Sequence, residues 1–233
     1  MKQLLFLCTA FAVFSSCHFT TGSGKIITQN KSVGNFTGLN ISNGFRAEVK
    51  IGPAADVRIE ADDNVMPFVK TEISGGVLTV KIEDFHGINS SHLRAYITMP
   101  ALDKVDVSGG ANVKVLDVVK NSSKLDFNAS GGAEVEAEIE SPEVEAEASG
   151  GAAITLSGKT KNYKAEASGG GGIKSTGLLS ENTNASASGG GYTNVYASVS
   201  LTADASSGGS VNYSGAGSVN KSESSGGSVN KKD

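Results

Sequence analysis

Residues 144–156 read Val-Glu-Ala-Glu-Ala-Ser-Gly-Gly-Ala-Ala-Ile-Thr-Leu, two alternating apolar and polar segments joined by a corner of small residues. The same corner occurs seven times, with spacings of 22, 19, 19, 20, 18 and 18 residues, at Ser108, Ser130, Ser149, Ser168, Ser188, Ser206 and Ser224. A nearly constant period of this length is typical of a solenoid, in which each coil buries its apolar side against its neighbours. We number the coils 1 to 7 by these serines.

The third position of the corner is glycine in every copy. The first five corners read Ser-Gly-Gly and the last two read Ser-Ser-Gly, which gives the set Gly110, Gly132, Gly151, Gly170, Gly190, Gly208 and Gly226. A glycine at one point of every coil predicts a tight bend, a positive φ or a close approach of stacked backbones. We therefore interpret these glycines as a structural corner, and we expect Gly151→Val to disrupt the stacking of the coils.

Apolar residues alternate with polar residues on both sides of each corner, and this period of two predicts strands. The inward columns are Leu125, Val144, Tyr163, Thr183, Leu201 and Val219 before the corner, and Val113, Val135, Ile154, Ile173, Thr193, Val211 and Val229 after it. One outward column starts with an opposite-charge pair and ends in an asparagine ladder, a pattern that ties stacked strands together: Lys114, Glu136, Thr155, Lys174, Asn194, Asn212 and Asn230. The chain is predicted to be all-β, a parallel β-helix (β-solenoid) with coils of 18–22 residues.

The first 16 residues predict a lipoprotein-type signal peptide. The apolar run from Leu4 to Phe14 is too short to span a bilayer and matches the apolar region of a signal. The small pair Ser15-Ser16 directly before Cys17 resembles a bacterial lipoprotein signal, and this resemblance implies cleavage before Cys17 and a lipid on its thiol. An ordinary signal peptide with an incidental cysteine is the alternative.

The rest of the chain divides into three predicted segments. Residues 17–33 have the composition of a flexible tether, residues 34–107 form an N-terminal β-rich cap region or first coils, and residues 108–233 form the repeat solenoid, with about the last 10 residues frayed. A separate small β-sandwich is the alternative for the middle segment. Since Cys8 leaves with the signal and no cysteine follows Cys17, no internal disulfide is expected.

Three stretches carry a family resemblance. Residues 36–49, with Leu39-Asn-Ile41 and Gly44-Phe45-Arg-Ala47, resemble the opening of the auto-transporter adhesin head GIN domain family, also known as the domain of unknown function 2807. Residues 75–80 resemble the central hairpin of that family, and residues 99–109 resemble its entry into the Ser-Gly repeats. The resemblance covers roughly residues 33–230 and implies a β-helix-like envelope protein of Bacteroidota type with an adhesin role and no catalytic residues.

Charge and residue usage narrow the classes of function. The net charge of −4 gives no electrostatic basis for nucleic-acid binding. Polysaccharide lyases and hydrolases with β-helix folds use clustered acids, or acids with arginine or lysine, whereas all three arginines here precede the repeats. No cofactor is expected. A β-helix carbohydrate-active enzyme that uses Glu145 or Glu147 is the alternative to a non-catalytic protein.

The acidic segment of coil 2 is the densest charge feature. Glu147 is expected beside Glu166 in one outward column, which makes these two residues weak candidates for a cation site. A solvated face partly neutralised by Lys164 is the simpler interpretation. Tyr192, Tyr196 and Tyr213 are further contact candidates, or they cover a thinning core.

Together these observations predict a non-catalytic cell-envelope lipoprotein that acts as an adhesin, a binding module or a structural module. Its expected partners are the membrane, through the lipid on Cys17, and a glycan or a protein on the solenoid surface. The expected location is the bacterial outer membrane, with the chain facing either the periplasm or the cell surface.

Overall fold

The computed structural model describes residues 18–83, 86–89, 92–215 and 217–232. The predicted signal peptide and Cys17 lie outside these residues. Besides a 3-10 turn at Met66–Phe68, the described residues form strands β1 His18–Thr21, β2 Ile26–Lys31, β3 Gly38–Ile41, β4 Arg46–Ile51, β5 Asp56–Asp62, β6 Val69–Ser74, β7 Val77–Ile82, β8 His86–Asn89, β9 Leu93–Met99, β10 Lys104–Val107, β11 Asn112–Val115, β12 Val119–Lys120, β13 Lys124–Ala129, β14 Glu134–Ala148, β15 Ala153–Ala167, β16 Gly172–Ala187, β17 Tyr192–Ala197, β18 Ser200–Ala205, β19 Ser210–Gly215, β20 Ser218–Glu223 and β21 Ser228–Lys231. None of the described residues forms a helix with the length and apolar character needed to cross a bilayer.

The repeats stack as a parallel β-solenoid, which confirms the predicted fold. Each inward column aligns in register, as in the run from Val135 through Ile154 to Ile173. Strand β14 alternates strictly between exposed glutamates and buried apolar residues up to Glu140, because successive side chains of a strand point to opposite faces. The inward residues are mostly alanine and valine after coil 1, so the core becomes thinner toward the C-terminal end.

The coils form two stacks of strands on either side of the corner. The pre-corner stack runs in the order β6, β7, β3, β10, β13, β14, β15, β16, β18 and β20. The post-corner stack runs in the order β2, β5, β9, β4, β11, β14, β15, β16, β17, β19 and β21. The long strands β14, β15 and β16 bend and contribute to both stacks.

Residues 34–107 continue the solenoid instead of forming a separate sandwich. Strands β3 and β4 make a coil that lies between β10 and β11 on one side and β7 and β9 on the other, always with parallel pairing. Antiparallel strands β5 and β6 then cover this end of the stacks. The largest buried side chains, Phe36, Phe45 and Phe127, lie toward this end.

The expectation of a flexible tether over residues 17–33 is wrong for the described part of that segment. Strand β2 pairs antiparallel with β5 through six residue pairs, and β1 pairs with β8. Between them, the backbone N–H of Gly24 donates to the Asp62 carboxylate at 2.7 Å and Ser23 Oγ donates to Asp63 at 2.6 Å. The small and polar residues that predict a tether therefore fold against the acidic end of β5.

The expectation of a frayed C-terminus is also wrong over the described residues. Strand β21 pairs with β19, and Val229 is 5% exposed in its predicted column. Lys221 and Glu223 stack on the buried Ala203 and Ala205 at the end of the core. The Glu223 carboxylate accepts the backbone N–H of Val229 at 2.7 Å, so polar groups close this end of the solenoid.

Candidate functional site

The glycine corner is a tight turn. In coil 3 the carbonyl of Ser149 accepts the N–H of Ala152 at 3.1 Å, while Gly150 and Gly151 have φ values of 58° and 81°. Two consecutive positive φ values closed by such a hydrogen bond are the geometry of a type I′ turn. All seven third-position glycines have φ between 73° and 81°, and a Cβ built on any of them meets no atom within 4 Å.

Positive φ, and not close packing, is therefore what requires these glycines. Close approach occurs at the next position of the later coils, where a Cβ on Gly171 would lie 2.3 Å from the carbonyl oxygen of Ala148. The effect expected of Gly151→Val keeps its direction, but its cause is backbone strain in the turn.

Two further bends were not identified from the sequence. Asn43 and Gly44, with φ of 58° and 76°, form another corner beneath Gly109. The Asn-Gly pair, a strong signal for this turn type, could have revealed it. A second bend in coils 2 to 4 contains the buried hydroxyl residues Ser141, Thr160 and Ser180, which align in register, and the hydroxyl of Ser141 donates to the Glu143 carbonyl at 3.0 Å.

A polar groove of about 320 Å³ runs along the outer surface of the pre-corner stack over coils 2 to 5. Two outward columns border it, one through Asn162, Asn182 and Ser200 and the other through Lys164, Asn184 and Thr202. We call this surface the asparagine groove and define it by Asn162, Asn182, Asn184, Ser200 and Thr202. Its floor is the strand backbone, because the residues between the two columns point into the core.

One column of the groove forms a hydrogen-bond ladder between its own side chains, and the other column leaves two side chains available to a ligand. Asn182 Nδ2 donates to Asn162 Oδ1 at 3.3 Å, and Ser200 Oγ donates to Asn182 Oδ1 at 2.8 Å. Across the described residues, the side chains of Asn184 and Thr202 have no hydrogen-bond partner. The groove therefore presents pre-aligned amides with unused donors and acceptors.

One end of the groove carries a charged cluster centred on Glu145. Lys124 and Lys164 donate to its two oxygens at 2.5 and 2.6 Å, and these bonds hold the pKa of Glu145 below its usual range. Hydrogen bonds to Glu145 and then Glu166 raise the pKa of Lys164. Lys164 therefore neutralises part of the acidic face, as the sequence predicts, through Glu145 and Glu166 beside the groove.

Glu147 has the opposite electrostatic environment. Partial burial, followed by the nearby charges of Glu166 and Glu145, raises the pKa of Glu147. The carboxylate oxygens of the three glutamates lie within 4.8 Å of one another. The structure thus brings together the two weak cation candidates, Glu147 and Glu166, but lysines already engage Glu145 and Glu166.

Two of the tyrosine contact candidates, Tyr192 and Tyr213, pack against other parts of the solenoid. The ring of Tyr192 lies over Gly172, where a Cβ would be 2.4 Å from the ring, and Tyr213 packs against the core. His92 lies 3.5 Å from Glu60 at the N-terminal end of the solenoid. Glu145, Glu147 and Glu166 are the only group of three or more potential metal ligands among the described residues.

These features define a parallel β-solenoid with a polar flank. The chain belongs to the family described as "putative auto-transporter adhesin, head GIN domain", whose model matches residues 35–217. This confirms the resemblance seen in the sequence. No curated protein matches the chain.

Solved structures share this fold. A "putative adhesin" from Bacteroides fragilis has a TM-score of 0.84 at 19% identity, covering 91% of this chain and 100% of that chain. A "putative adhesin" from Parabacteroides merdae has a TM-score of 0.70 at 19% identity, covering 93% and 100%. A "putative lipid binding protein" from Parabacteroides distasonis has a TM-score of 0.74 at 18% identity, covering 92% and 100%.

Proposed function

We propose that this chain is a non-catalytic binding module of the bacterial cell envelope, and that the asparagine groove binds a neutral glycan. The observation that carries the proposal is the in-register row of amides and hydroxyls over three stacked coils, 3 to 5. Asn184 and Thr202, whose side chains point outward, contribute groups that form no bonds within the described part of the chain. The family description as an adhesin supports an envelope role.

The chemistry of the groove fits a polyhydroxylated ligand. Amide side chains offer both donors and acceptors, which sugar hydroxyls also need. The groove volume of about 320 Å³ lies at the lower end of the range for small-molecule sites, roughly 300–1,000 Å³. Lys164 pairs with Glu145 at 2.6 Å, whereas Glu143, which also lines the groove, forms no ion pair with the described residues. This charge distribution disfavours an acidic glycan and leaves a neutral one as the fitting ligand.

Binding is tested with the purified chain from residue 18 to 233, by affinity electrophoresis in gels that contain neutral or acidic polysaccharides. The groove variant is Asn184→Leu/Thr202→Val, and the control is Asn230→Leu/Thr176→Val, which makes the same substitutions on the other strand stack. We expect a neutral polysaccharide to retard the wild type and the control but not the groove variant. Equal retardation of both variants would sink the assignment of the groove.

We further propose that a lipid on Cys17 anchors the chain in the outer membrane. The apolar run and the small residues before Cys17 support this anchor. Expression in a Bacteroidota host, followed by detergent phase partitioning, should place the wild type in the detergent phase and Cys17→Ser in the aqueous phase. Identical partitioning of the two proteins would count against the anchor.

The glutamate cluster supports catalysis as a second candidate function. Glu145 and Glu147 have pKa values shifted in opposite directions, as in the carboxylate pairs of glycosidases. The lysines bound to both oxygens of Glu145 leave it poorly placed as a nucleophile. Chromatography of each retained polysaccharide after incubation tests this candidate, and shortened chains that disappear with Glu147→Gln would establish it.

A further inference from the structure

All three arginines of the chain lie at the N-terminal end of the post-corner stack. Arg46 on β4 is the direct register partner of Arg94 on the parallel strand β9. Arg94 is in turn opposite Glu60 on the antiparallel strand β5, where Arg58 also lies. The inward neighbours Ala47 and Ala95 are buried, so Arg46 and Arg94 share the outer face.

The carboxylate of Glu60 interacts with Arg58, Tyr96 and His92 and not with Arg94. Arg58 donates to Glu60 Oε1 at 2.7 Å while its guanidinium stacks 4.0 Å from the centre of the Tyr96 ring. Glu60 Oε2 accepts the Tyr96 hydroxyl at 3.4 Å and lies 3.5 Å from His92 Nε2. Both carboxylate oxygens are therefore engaged.

Arg46 and Arg94 thus form a pair of adjacent cations. Neither makes an ion pair or a hydrogen bond with any residue in the described ranges. Like charges directly opposite on neighbouring strands destabilise a sheet. Next to Arg46, Asn112 is already used, because its amide donates to Glu134 at 2.8 Å. The fold keeps this repulsive pair on the outer face of the N-terminal coils.

The space beside Arg46 is open. A recess of about 380 Å³ extends from Arg46 along the corners of coils 1 and 2, where Gly110 and Gly132 carry no side chain. Glu134 also lines this recess, and its carboxylate accepts the Asn112 amide. A Cβ on either glycine would meet no atom within 4 Å. A ligand group can therefore approach the Arg46 guanidinium from the corner side without displacing protein atoms.

We propose that the Arg46–Arg94 pair binds a phosphate group. Strands in a sheet lie about 4.8 Å apart, so the two guanidiniums can reach different oxygens of one tetrahedral anion. A guanidinium fork saturates a carboxylate with one bidentate contact, whereas phosphate has further oxygens for a second fork. The phosphate comes either from a lipid headgroup or from a soluble phosphate ester. This site lies on the stack opposite the asparagine groove, and the inference does not depend on glycan binding.

The experiment compares the chain from residue 18 to 233 with three double variants. Arg46→Gln/Arg94→Gln removes the pair, Arg46→Lys/Arg94→Lys keeps the charge without the forks, and Lys159→Gln/Lys174→Gln removes two exposed cations elsewhere. One arm follows thermal unfolding and titration with inorganic phosphate against chloride at constant ionic strength. The other arm measures cosedimentation with phosphatidic acid vesicles against phosphatidylcholine vesicles.

We expect phosphate to raise the Tm of the wild type and of the Lys159/Lys174 control. The glutamine pair should lose at least about tenfold in affinity, since charged hydrogen bonds of this kind carry about that factor each, and the lysine pair should lie between. Binding to phosphatidic acid vesicles but not to phosphatidylcholine vesicles identifies a lipid headgroup as the source. A response to inorganic phosphate without vesicle binding identifies a soluble phosphate ester. The proposal is overturned if neither arm shows binding. It is also overturned if Lys159→Gln/Lys174→Gln loses as much affinity as Arg46→Gln/Arg94→Gln, or if Arg46→Lys/Arg94→Lys binds like the wild type.

Discussion

Serine substitutions at the two glycines of one corner separate backbone strain from packing. Gly150 has φ of 58°, near the left-handed minimum of about 57°. Gly151 has φ of 81°, outside the left-handed window of about 50–70° open to other residues. The chain itself places Ser207 and Ser225, with φ of 50° and 47°, at the position equivalent to Gly150.

The expected costs follow from these angles. Gly150→Ser should cost about 1 kcal/mol, the strain of a left-handed residue, with its Cβ tight at 3.3 Å from Gly131 N. Gly151→Ser should cost about 2–3 kcal/mol, since it holds a side chain in a sparsely populated region. For a chain of this size, about 2–4 °C of Tm accompanies each kcal/mol, so the Gly151 variant should melt about 2–8 °C below the Gly150 variant.

Differential scanning calorimetry of the chain from residue 18 to 233 measures both variants. Gly151→Asn serves as a control, because asparagine enters left-handed conformations more readily than serine and should recover part of the loss. A Gly151→Ser variant that melts with or above Gly150→Ser would refute the argument that φ, and not packing, fixes the third position.

Three further predictions concern a buried hydroxyl, the glutamate cluster and the polar C-terminal end. Thr193→Val should raise the free energy of unfolding by about 1–2 kcal/mol in urea, because Thr193 is fully buried in a valine and isoleucine column and its hydroxyl lacks a hydrogen bond to any described residue; no gain would contradict this. The fold lowers the pKa of Glu145 from its ordinary value of 4.5, so this group stabilises the folded state at pH values above 4.5. This stabilisation is lost as the pH falls through the lowered pKa of the folded state. Glu145→Gln should therefore lower the Tm at pH 7 and make the Tm fall less steeply on acidification. Glu147→Gln removes a carboxyl group whose pKa is raised, so it should increase the Tm at pH 7. A higher Tm for Glu145→Gln than for Glu147→Gln at pH 7 would refute these opposite roles. Lys221→Leu/Glu223→Leu should convert the chain to end-to-end oligomers in light scattering, since it replaces the polar end of the core with apolar residues, and a strictly monomeric variant would count against this capping role.

The repeat region could be predicted from sequence because its signal is redundant. Seven copies of the corner fix the phase of the alternation, so even the partners of individual residues, such as Lys114 with Glu136 and Glu147 with Glu166, follow from the alignment. The Ser42-Asn43-Gly44 corner was missed because a single copy with asparagine in the second position does not stand out in a search for Ser-Gly-Gly.

The two candidate surfaces were not predictable in the same way. The asparagine groove joins residues from columns that appear unremarkable one repeat at a time, and its character depends on which amides bond each other. To predict the Arg46–Arg94 pair, one must know that β9 stacks on β4, although 41 residues lie between the two strands in the chain. The strands of residues 18–33 depend on antiparallel pairing with β5, which the small polar composition of that segment conceals.

The central functional claim, binding without turnover in the asparagine groove, is tested most directly by measuring both properties in one sample. Each retained polysaccharide is incubated with the wild type and with Asn184→Leu/Thr202→Val, and then its bound fraction and its chain length are determined. We predict a neutral polysaccharide that is bound by the wild type, released by the groove variant, and unchanged in length in both samples. Shortened chains with the wild type, or equal binding by the two proteins, would contradict the claim.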